Sequence, residues 1–411
     1  MAEKHYDILI IGAGQAGRRA AEGVRSVSQT ASIAIIGEEL HAPYDRPPLS
    51  KEALLQENGA ALCDIRTHQS YADDHIDLFL GTRAVSIDRA SKKVATDGGD
   101  LFGFEKLILA TGSRPKLLPV LPYDDELVRS LRTKEDAAVI AGRLRPGALV
   151  VIVGAGFIGL EVASAALARG AKPVVIDVAD RVLGRVLPRT ISERIALAHR
   201  EAGVELLLGA SLGAAKRKAD KIEIGVGDRT LSADLVISGV GVTPNVELAE
   251  AAGLEVDDGL VVTQTGHTSD PDILGAGEVV RHPVALTNDV LRLESWQVAE
   301  KQAYAVGRNA AGVETVYAEP PWFWSDQLGM NIQLVGAFSP QARIIPRISE
   351  SCGACYFAID ESDGSGRILG AATIDAGADM SVARRLMGRR IDLDALADTN
   401  IPLRQIVKSS R

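Results

Sequence analysis

The sequence contains the glycine pattern G-x-G-x-x-G twice, and each copy lies between an apolar run and a helix-like segment. The first copy lies in DILIIGAGQAG and the second in VVIVGAGFIGLEVA. One such pattern alone is weak evidence. A strand before it, a helix after it and an acid about 20 residues further on make it specific for dinucleotide binding. Glu38 lies 24 residues after Gly14, and Asp177 lies 21 residues after Gly156, so both copies meet these criteria.

The three glycines of each turn have separate physical roles. The first allows the tight turn, the second lets the backbone approach a pyrophosphate, and the third lets the helix pack on the strand. The helix N-terminus offers N–H groups to the phosphates, and the acid binds the ribose hydroxyls. Because a carboxylate repels a 2′-phosphate, Asp177 favours NADH over NADPH. We expect one site for a resident flavin, built from Gly12, Gly14, Gly17 and Glu38. The other site, for a diffusing nicotinamide, is expected at Gly154, Gly156, Gly159 and Asp177.

Composition excludes several other classes of protein. The 411 residues suffice for two or three domains, and a net charge of −9 argues against general nucleic-acid binding. Three cysteines are too few for a disulfide framework, so we expect a reducing compartment, the cytoplasm. The longest apolar stretch, residues 148–168, contains Glu161 and three glycines. It predicts a buried strand–turn–helix unit rather than a membrane span.

Two segments, called the crossing segments below, resemble the points where the chain passes from a flavin domain into an inserted nicotinamide domain and back, and they predict the domain organisation. Residues 104–119 (FEKLILATGSRPKLLP) and 235–250 (LVISGVGVTPNVELAE) each contain an apolar strand followed by a Gly/Pro turn. We predict a discontinuous flavin domain of residues 1–113 and 245–318 and a nicotinamide domain of residues 114–244. Residues 319–411 contain short strands followed by the helix-like ADMSVARRLMGRRI, which is typical of an α+β domain. The predicted fold class is α/β, with two Rossmann-like domains and a C-terminal α+β domain.

Six motifs carry a family resemblance that covers nearly the whole chain: GAGQAG, YDRPPLSK (44–51), ATGSRP, GAGFIGLEVA, GVGVTPN and WFWSDQ. In their order and spacing the chain resembles the NADH-dependent ferredoxin reductases of bacterial oxygenase systems. The resemblance implies a fold of the glutathione-reductase type that binds FAD and NAD. It also implies that electrons pass from NADH through FAD to a 2Fe–2S ferredoxin, which feeds an aromatic-ring dioxygenase or a cytochrome P450.

The resemblance also implies roles for individual residues. Arg46 and Lys51 are expected along the FAD, with Lys51 near the reactive flavin nitrogen and paired with Glu161. A cation there would stabilise negative charge on the reduced ring. With Trp324 beside the isoalloxazine, the expected catalytic residues are Lys51, Glu161 and Trp324. Further FAD contacts are implied for Ala84, Thr111, Gly112, Arg132, Glu278 and Trp296, and NADH contacts for Ile158, Glu161, Asp177, Arg185 and Gly241.

One position departs from the family pattern. The family usually has an Ala-x-Gly-Asp motif whose Asp binds the ribityl chain of FAD. Here the segment reads DILGAGEVV, which places Glu278 at that position. Because Glu keeps the charge and adds one methylene, we expect the contact to be retained with a shifted backbone.

Other functions remain open at the level of sequence. Rubredoxin is a possible acceptor, and flavoproteins related to apoptosis-inducing factor share these motifs but use NADH binding to change partner interactions. A disulfide reductase needs a redox-active cysteine pair, and YDRPPLSK contains no cysteine. The pair Cys352 and Cys355 in CGAC has the C-x-x-C spacing but precedes an apolar strand, which favours an incidental pair. A zinc site there would lack a second pair of ligands, so no metal site is expected.

Two further groups of residues have both a functional and a plain interpretation. Trp322 and Trp324 are either core aromatics or stacking groups beside a cofactor. The arginines of VARRLMGRRI are expected to form a positive stripe on one side of a helix, either as a solvated face or as a surface that steers an acidic ferredoxin. These arginines are Arg384, Arg385, Arg389 and Arg390.

Overall fold

The computed structural model describes residues 3–56, 58–286, 289–339, 341–349, 353–361 and 366–409. By its internal contacts the chain divides into two units. Unit 1 consists of Met1–Arg46, Cys63–Arg114 and Val242–Pro321, and unit 2 consists of Pro47–Leu62, Pro115–Gly241 and Trp322–Arg411. The division into three domains stays a prediction.

The strands follow one another along the described chain as β1 Glu3–Ile11, β2 Ile33–Ile36, β3 Ile76–Phe79, β4 Ala84–Asp88, β5 Lys93–Thr96, β6 Leu101–Leu109, β7 Ser113–Pro115, β8 Val128–Ser130, β9 Leu149–Val153, β10 Lys172–Asp177, β11 Glu205–Leu208, β12 Leu212–Lys218, β13 Lys221–Val226, β14 Arg229–Ala233, β15 Leu235–Ser238, β16 Val242–Pro244, β17 Leu260–Val261, β18 Ile273–Gly275, β19 Val280–Pro283, β20 Val290–Arg292, β21 Trp322–Gln327, β22 Met330–Gly336, β23 Arg343–Ser349, β24 Gly353–Asp360 and β25 Arg367–Ile374.

The α-helices are α1 Gln15–Val27, α2 Glu52–Leu55, α3 His68–Asp73, α4 Lys134–Arg143, α5 Phe157–Ala168, α6 Arg189–Ala202, α7 Glu247–Ala251, α8 Ala303–Ala310, α9 Gly377–Leu386, α10 Leu393–Ala397 and α11 Leu403–Ser409. Short 3₁₀ turns cover Pro47–Ser50, Gly59–Cys63 and Gly277–Val279, and a π-helical turn covers Val298–Gln302. None of the helices in the described ranges has the length and apolar character that a membrane crossing requires.

Unit 1 is built on a sheet with the strand order β3-β2-β1-β6-β5-β4, and β18 also pairs with β6. Strands β1, β2, β3, β6 and β18 run parallel, and the hairpin β4–β5 continues the sheet antiparallel. The chain runs from β1 outward through β2 to β3 and then returns to the other side of β1. In open α/β sheets a ligand binds where the strand order reverses in this way. The carboxyl end of β1 is therefore the expected binding edge.

Unit 2 repeats this arrangement in a parallel sheet with the order β11-β10-β9-β15-β8. The order reverses at β9, which is followed by the second glycine turn and α5. Buried aliphatic side chains fill the strands; Val150, Val151 and Ile152 are each fully buried. The stretch 148–168 thus forms the predicted strand–turn–helix unit.

The C-terminal part of unit 2 is an antiparallel sheet with the order β21-β22-β25-β24-β23. Strands followed by helices were expected here, and the observed order from β21 to α11 agrees. The last predicted helix is shorter than expected, because α9 ends at Leu386 and Gly388 takes a left-handed conformation with φ of 75°. The backbone then turns back, and Gly388 N–H donates to the carbonyl of Ile368 at 2.8 Å.

The expectation of one helical arginine stripe is therefore wrong. Arg384 and Arg385 lie exposed in the last turn of α9, whereas Arg389 and Arg390 lie beyond the helix. Arg390 forms an isolated bridge with Arg367 of β25. The sequence spacing assumed a helix that continues through Gly388, and the left-handed glycine ends it.

Candidate functional site

The first glycine turn follows β1 and leads into α1. A Cβ atom on Gly12 would lie 2.1 Å from the carbonyl oxygen of Ala110, and one on Gly17 would lie 1.9 Å from the carbonyl oxygen of Gly12. Around the Cβ position of Gly14, by contrast, the described residues place no heavy atom within 4 Å. Gly12 and Gly17 therefore hold strand and helix close together, while Gly14 leaves open space at the helix start. A pyrophosphate fits this turn.

The acid expected to bind ribose in unit 1, Glu38, lies just past β2 and is exposed. Its carboxylate is 3.9 Å from Nε of Arg83, a distance at which a surface pair leaves the acid accessible. Ala84, the first residue of β4, directly follows Arg83 in the sequence and is half-buried. Both positions are compatible with contacts to the adenosine part of a dinucleotide.

Arg46 belongs to a cluster with Glu39 and Tyr44. Its Nη2 is 2.5 Å from Oε1 of Glu39, and its Nη1 donates to the Tyr44 hydroxyl at 3.0 Å. That hydroxyl in turn donates to Oε2 of Glu39 at 2.6 Å. Burial lowers the pKa of Arg46, but the interactions with Tyr44, Glu39 and Glu278 together raise it by more, so the net shift of the pKa is upward. The guanidinium is thus a fixed positive charge in unit 1.

The next residue in the chain, Asp45, accepts a hydrogen bond from the indole nitrogen of Trp296 at 2.9 Å. This contact joins the YDRPPLSK segment to the segment before the π-helical turn. It fixes the half-buried ring of Trp296, which the family resemblance places beside the flavin.

The two crossing segments are hydrogen-bonded to each other. The Thr111 hydroxyl donates to the carbonyl of Asn245 at 2.7 Å, and the Asn245 amide donates to the carbonyl of Thr111 at 2.9 Å. Asn245 N–H also donates to the carbonyl of Gly112 at 2.9 Å. The Thr111 side chain and the carbonyls of Thr111 and Gly112 therefore bind the returning chain.

Glu278 follows a glycine in a left-handed conformation. Gly277 has φ of 82°, and its N–H donates to Oε1 of the buried Gln302 at 2.9 Å. A Cβ on Gly277 would lie 2.5 Å from the Cβ of Ala16 in α1. This close approach sets Glu278, which is half-buried, beside the start of the helix that follows the first glycine turn.

The second glycine turn has the same geometry as the first. A Cβ on Gly154 would lie 2.4 Å from the carbonyl oxygen of Gly239, and one on Gly159 would lie 2.0 Å from that of Gly154. At Gly156 no heavy atom of the described chain lies within 4 Å of the Cβ position. No side chain in the described ranges caps α5 at Gly156, so its first N–H groups can bind an anion.

Asp177, at the end of β10, organises this turn. Its Oδ2 accepts from the Ala155 N–H at 2.7 Å, and its Oδ1 accepts from the Ala179 N–H at 2.8 Å. The carboxylate is half-buried, and the neighbouring Val178 is 77% exposed. A carboxylate oxygen has more than one acceptor site. Asp177 can therefore hold the turn and still accept ribose hydroxyls.

Three further predicted NADH contacts lie in unit 2. Ile158, in the first turn of α5, is 44% exposed, which is unusual for a large apolar side chain beside a buried strand. Arg185 is exposed, and its two terminal nitrogens lie 4.0 Å from the Cβ position of Gly241. The structure thus brings Arg185 and Gly241 together. Arg132, an implied FAD contact, also lies in unit 2. It precedes α4, and its backbone N–H donates to Oδ2 of Asp136 at 2.9 Å.

Lys51 and Glu161 form the expected pair. Nζ of Lys51 lies 3.0 Å from Oε1 of Glu161, and it also donates to the carbonyl of Pro47 at 3.3 Å. The Glu161 side chain is 2% exposed and that of Lys51 12%. Ser50 donates a short hydrogen bond to Oε2 of Glu161, and Ser325 donates to Oε1 at 2.5 Å. A buried charge pair is retained only where such additional hydrogen bonds satisfy it.

Strand β21 presents its side chains to two faces. Ser325 points toward Glu161 of α5 and Gln327 toward His199 of α6. On the same face Phe323 packs against Phe157 of α5, with 4.4 Å between ring centroids. Trp322 and Trp324 stack on the other face, with 5.1 Å between centroids and an interplanar angle of 18°. The Arg384 guanidinium lies over the Trp322 ring at 5.4 Å. Both tryptophans are half-buried, and Trp322 also packs against the hydrophobic core of this sheet.

Of the CGAC cysteines, Cys352 lies outside the described residues. Cys355 is buried in β24 at 1% exposure, and burial raises the pKa of its thiol. A reactive cysteine needs an accessible thiolate. Cys355 is therefore an inert core residue.

Sequence reasoning missed several residues of the Glu161 environment, namely Ser50, Ser325, Gln327 and His199. Ser50 and Ser325 stand next to predicted residues, so adjacency was an available signal. Gln327 and His199 are 128 positions apart in the chain, and no local pattern pairs them.

Two open, dinucleotide-type glycine turns, each directly after a strand with parallel neighbours, define a class of oxidoreductases that bind two nucleotides. A family model for pyridine nucleotide-disulphide oxidoreductases matches residues 6–303, and one for the reductase C-terminal domain matches residues 322–407. The chain belongs to the pyridine nucleotide-disulphide oxidoreductase family.

Individual relatives are similar over almost their full length. The chain is 40% identical to the ferredoxin–NAD(+) reductase component of the anthranilate 1,2-dioxygenase system of Burkholderia cepacia, covering 96% of this chain and 98% of that one. It is 36% identical to the corresponding p-cumate 2,3-dioxygenase component of Pseudomonas putida, covering 98% and 99%. Its structure is similar to that of putidaredoxin reductase in the covalent complex with putidaredoxin, with a TM-score of 0.93, 33% identity and 98% coverage of both chains.

Proposed function

We propose that this chain is an FAD-dependent reductase that transfers electrons from NADH to a 2Fe–2S ferredoxin serving an oxygenase. The observation that carries the proposal is the pair of open glycine turns, one in each unit, with the buried Lys51–Glu161 pair in unit 2. The relatives named as ferredoxin–NAD(+) reductase components of dioxygenase systems support it.

For FAD, the proposal assigns the turn of Gly12, Gly14 and Gly17 to the pyrophosphate and Glu38 to the ribose. Arg46 supplies a fixed cation, and Glu278 takes the position where the family has an aspartate. The flavin domain of residues 1–113 and 245–318 would hold this cofactor, together with the contacts proposed for Ala84, Thr111, Gly112, Arg132, Trp296 and Trp324.

For NADH, the proposal assigns the turn of Gly154, Gly156 and Gly159 to the pyrophosphate. Asp177 binds the ribose and disfavours a 2′-phosphate, since its charge would repel one. Ile158 offers apolar contact, and Arg185 beside Gly241 offers positive charge. The nicotinamide domain is proposed as residues 114–244, followed by an α+β domain of residues 319–411.

The two cofactors supply the redox chemistry when bound, since NADH donates a hydride and FAD can pass electrons on singly. The chain contributes position and charge. Lys51 is a largely but not fully buried ammonium whose neighbours are the Glu161 carboxylate and the Pro47 carbonyl. Such a cation stabilises negative charge on an adjacent group without reorganising during the reaction. Glu161 holds that ammonium and keeps the local charge balanced.

The proposed partner is acidic, and Arg384 and Arg385 are the exposed cations of α9 that would attract it. Their effect would be mainly on the rate of association. We place the protein in the cytoplasm, in agreement with its low cysteine content. A disulfide reductase is disfavoured because the Cys355 thiol is buried with a raised pKa.

The direct test is reduction of a purified 2Fe–2S ferredoxin from an oxygenase system, with NADH as donor and cytochrome c as final acceptor. We expect ferredoxin-dependent reduction of cytochrome c that is slower when NADPH replaces NADH. Rubredoxin is measured in parallel as the alternative acceptor. Equal rates with and without ferredoxin would contradict the proposal.

A further inference from the structure

A chain of buried hydrogen bonds runs from Glu161 to helix α6, and it begins at Oε1, the carboxylate oxygen that also lies 3.0 Å from Nζ of Lys51. Ser325 donates to Oε1 of Glu161 at 2.5 Å, and Nε2 of Gln327 donates to the Ser325 hydroxyl at 2.9 Å. Oε1 of Gln327 lies 2.7 Å from Nε2 of His199. All of these residues belong to unit 2.

The direction of every hydrogen bond in this series follows from the Glu161 carboxylate, which can only accept. Glu161, paired with Lys51, accepts, so the Ser325 hydroxyl must donate to it and must accept from Gln327. The Gln327 amide nitrogen is then the donor and its oxygen the acceptor, which requires the proton of His199 on Nε2. Nδ1 of His199 makes no hydrogen bond within the described part of the chain, in agreement with this tautomer. Each donor therefore points toward the Glu161 carboxylate.

The four residues joined by these hydrogen bonds are almost inaccessible to solvent. Glu161 and Gln327 are 2% exposed, and Ser325 and His199 are 0% exposed. Burial lowers the pKa of His199, so the imidazole is neutral at physiological pH. In a medium of low polarity, successive hydrogen bonds polarise one another, and an unmade one is costly. A complete chain thus holds one arrangement of the carboxylate more firmly than solvent would.

The three groups stand on rigid elements. Ser325 and Gln327 share one face of β21 because side chains alternate along a strand. Ser164, one helical turn after Glu161 in α5, accepts from the N–H of Leu328 at 2.8 Å and fixes the end of that strand to the helix. His199 lies on the buried side of α6. The position of Glu161 in α5 is therefore fixed relative to strand β21 and helix α6.

We propose that Ser325, Gln327 and His199 are positioning residues that fix the Glu161 carboxylate and, through it, the Lys51 ammonium. None of them is expected to touch a cofactor. The contribution to NADH oxidation rests on the proposed function, whereas the effect on Lys51 does not. The influence should decrease with distance from Glu161, in the order Ser325, Gln327, His199.

The test uses the purified FAD-containing protein and the variants Ser325→Ala, Gln327→Met and His199→Phe. Each removes a hydrogen bond while keeping the approximate volume. Ser192→Ala is the matched control, because Ser192 is also fully buried on α6 and its hydroxyl makes no hydrogen bond within the described residues. Ser325→Thr, which keeps the hydroxyl, is the conservative rescue.

The first readout is the rate at which Lys51 is acetylated by acetic anhydride relative to the exposed Lys216, followed by mass spectrometry. A loosely held amine reacts faster, so we expect an increase of about tenfold for Ser325→Ala and about threefold for Gln327→Met, with a smaller one for His199→Phe. Ser192→Ala and Ser325→Thr should remain near the parent value. This readout needs no NADH.

The second readout is the rate of flavin reduction by NADH in anaerobic stopped flow, with the NADH dissociation constant taken from its concentration dependence. The rate should fall in the same order, while the dissociation constant changes by less than about twofold. In a Glu161→Gln background, Gln327→Met should have no further effect, since coupled residues are non-additive.

The outcomes separate the two proposals. If NADH fails to reduce the parent protein, the proposed function is wrong, and Lys51 acetylation still tests the positioning role. If acetylation and reduction are unchanged in all three variants while their thermal stability falls, these residues are only structural and the inference is overturned. An effect of Ser192→Ala equal to that of Gln327→Met would overturn it as well.

Discussion

Replacing Gly156 or Gly159 by alanine should separate ligand approach from folding in the second glycine turn. Both glycines lie in the same motif, which assigns the approach of a pyrophosphate to the second glycine and the packing of helix on strand to the third. Their surroundings differ, since the Cβ position of Gly159 is 2.0 Å from the carbonyl oxygen of Gly154, whereas that of Gly156 is open. Gly156 has φ of −80°, which alanine adopts freely.

The size of each effect follows from these distances. A carbon normally stays about 3.3 Å or more from a carbonyl oxygen. The Gly159 methyl group would thus overlap backbone by more than 1 Å, and backbone cannot rotate away. Overpacking of this kind costs about 3 kcal/mol. At about 2–4 °C per kcal/mol, Gly159→Ala should lower the Tm by roughly 6–12 °C.

Gly156→Ala should leave the Tm within about 2 °C, because the methyl group meets only open space. That space is where a pyrophosphate would approach the helix N-terminus. We expect the dissociation constant for NADH to rise by about tenfold to a hundredfold, or about 1.4–2.8 kcal/mol. Gly159→Ala, once folded at low temperature, should be affected mainly in stability.

Stability is measured by thermal unfolding, followed by circular dichroism, of the FAD-containing protein in the absence of NADH. NADH binding is measured separately by titration at 15 °C. The NADH site suits this test because a diffusing ligand can be left out of the unfolding experiment. Parent-like NADH binding by Gly156→Ala would refute the assignment of this turn. Equal loss of stability in both variants would refute the geometric argument.

Four further predictions concern separate parts of the molecule. Asp177→Asn should weaken NADH binding and reduce the preference for NADH over NADPH, because it removes the charge that repels a 2′-phosphate. The preference is measured as the ratio of the kcat/KM values for the two nucleotides. Glu278→Asp should retain FAD within about threefold of the parent, whereas Glu278→Ala should lose it at least tenfold more readily, measured by flavin fluorescence on dilution. Native Cys355 should resist iodoacetamide at pH 8 and react only after unfolding, because its raised pKa keeps the thiol protonated at that pH. Charge reversal at Arg384 and Arg385 should slow ferredoxin association at low salt and have little effect at high salt, measured by stopped flow.

Much of the fold could be predicted because its signals are local. The turns after β1 and β9 follow apolar runs and precede helices, and α1 and α5 begin directly after the central glycines. The strands after residue 319 also follow their apolar patterns. The end of α9 could not be predicted from charge spacing, because the left-handed Gly388 and the pairing of its N–H with Ile368 decide it.

The candidate site was predictable only where a motif carries it. The pairing of Lys51 with Glu161 followed from the resemblance, and the space at Gly156 followed from the role of the second glycine. The hydrogen bond between His199 and Gln327 depends on how α6 and β21 meet in space. A histidine within a helix and a glutamine at a strand end give no local sign of it.

The central claim is that NADH delivers electrons to a flavin in this protein, and anaerobic titration of the purified FAD-containing protein tests it most directly. We predict that the visible flavin absorption bleaches promptly on addition of about one equivalent of NADH. A spectrum that barely changes although NADH binds would contradict the claim and would favour a protein that uses NADH binding to change its partner interactions.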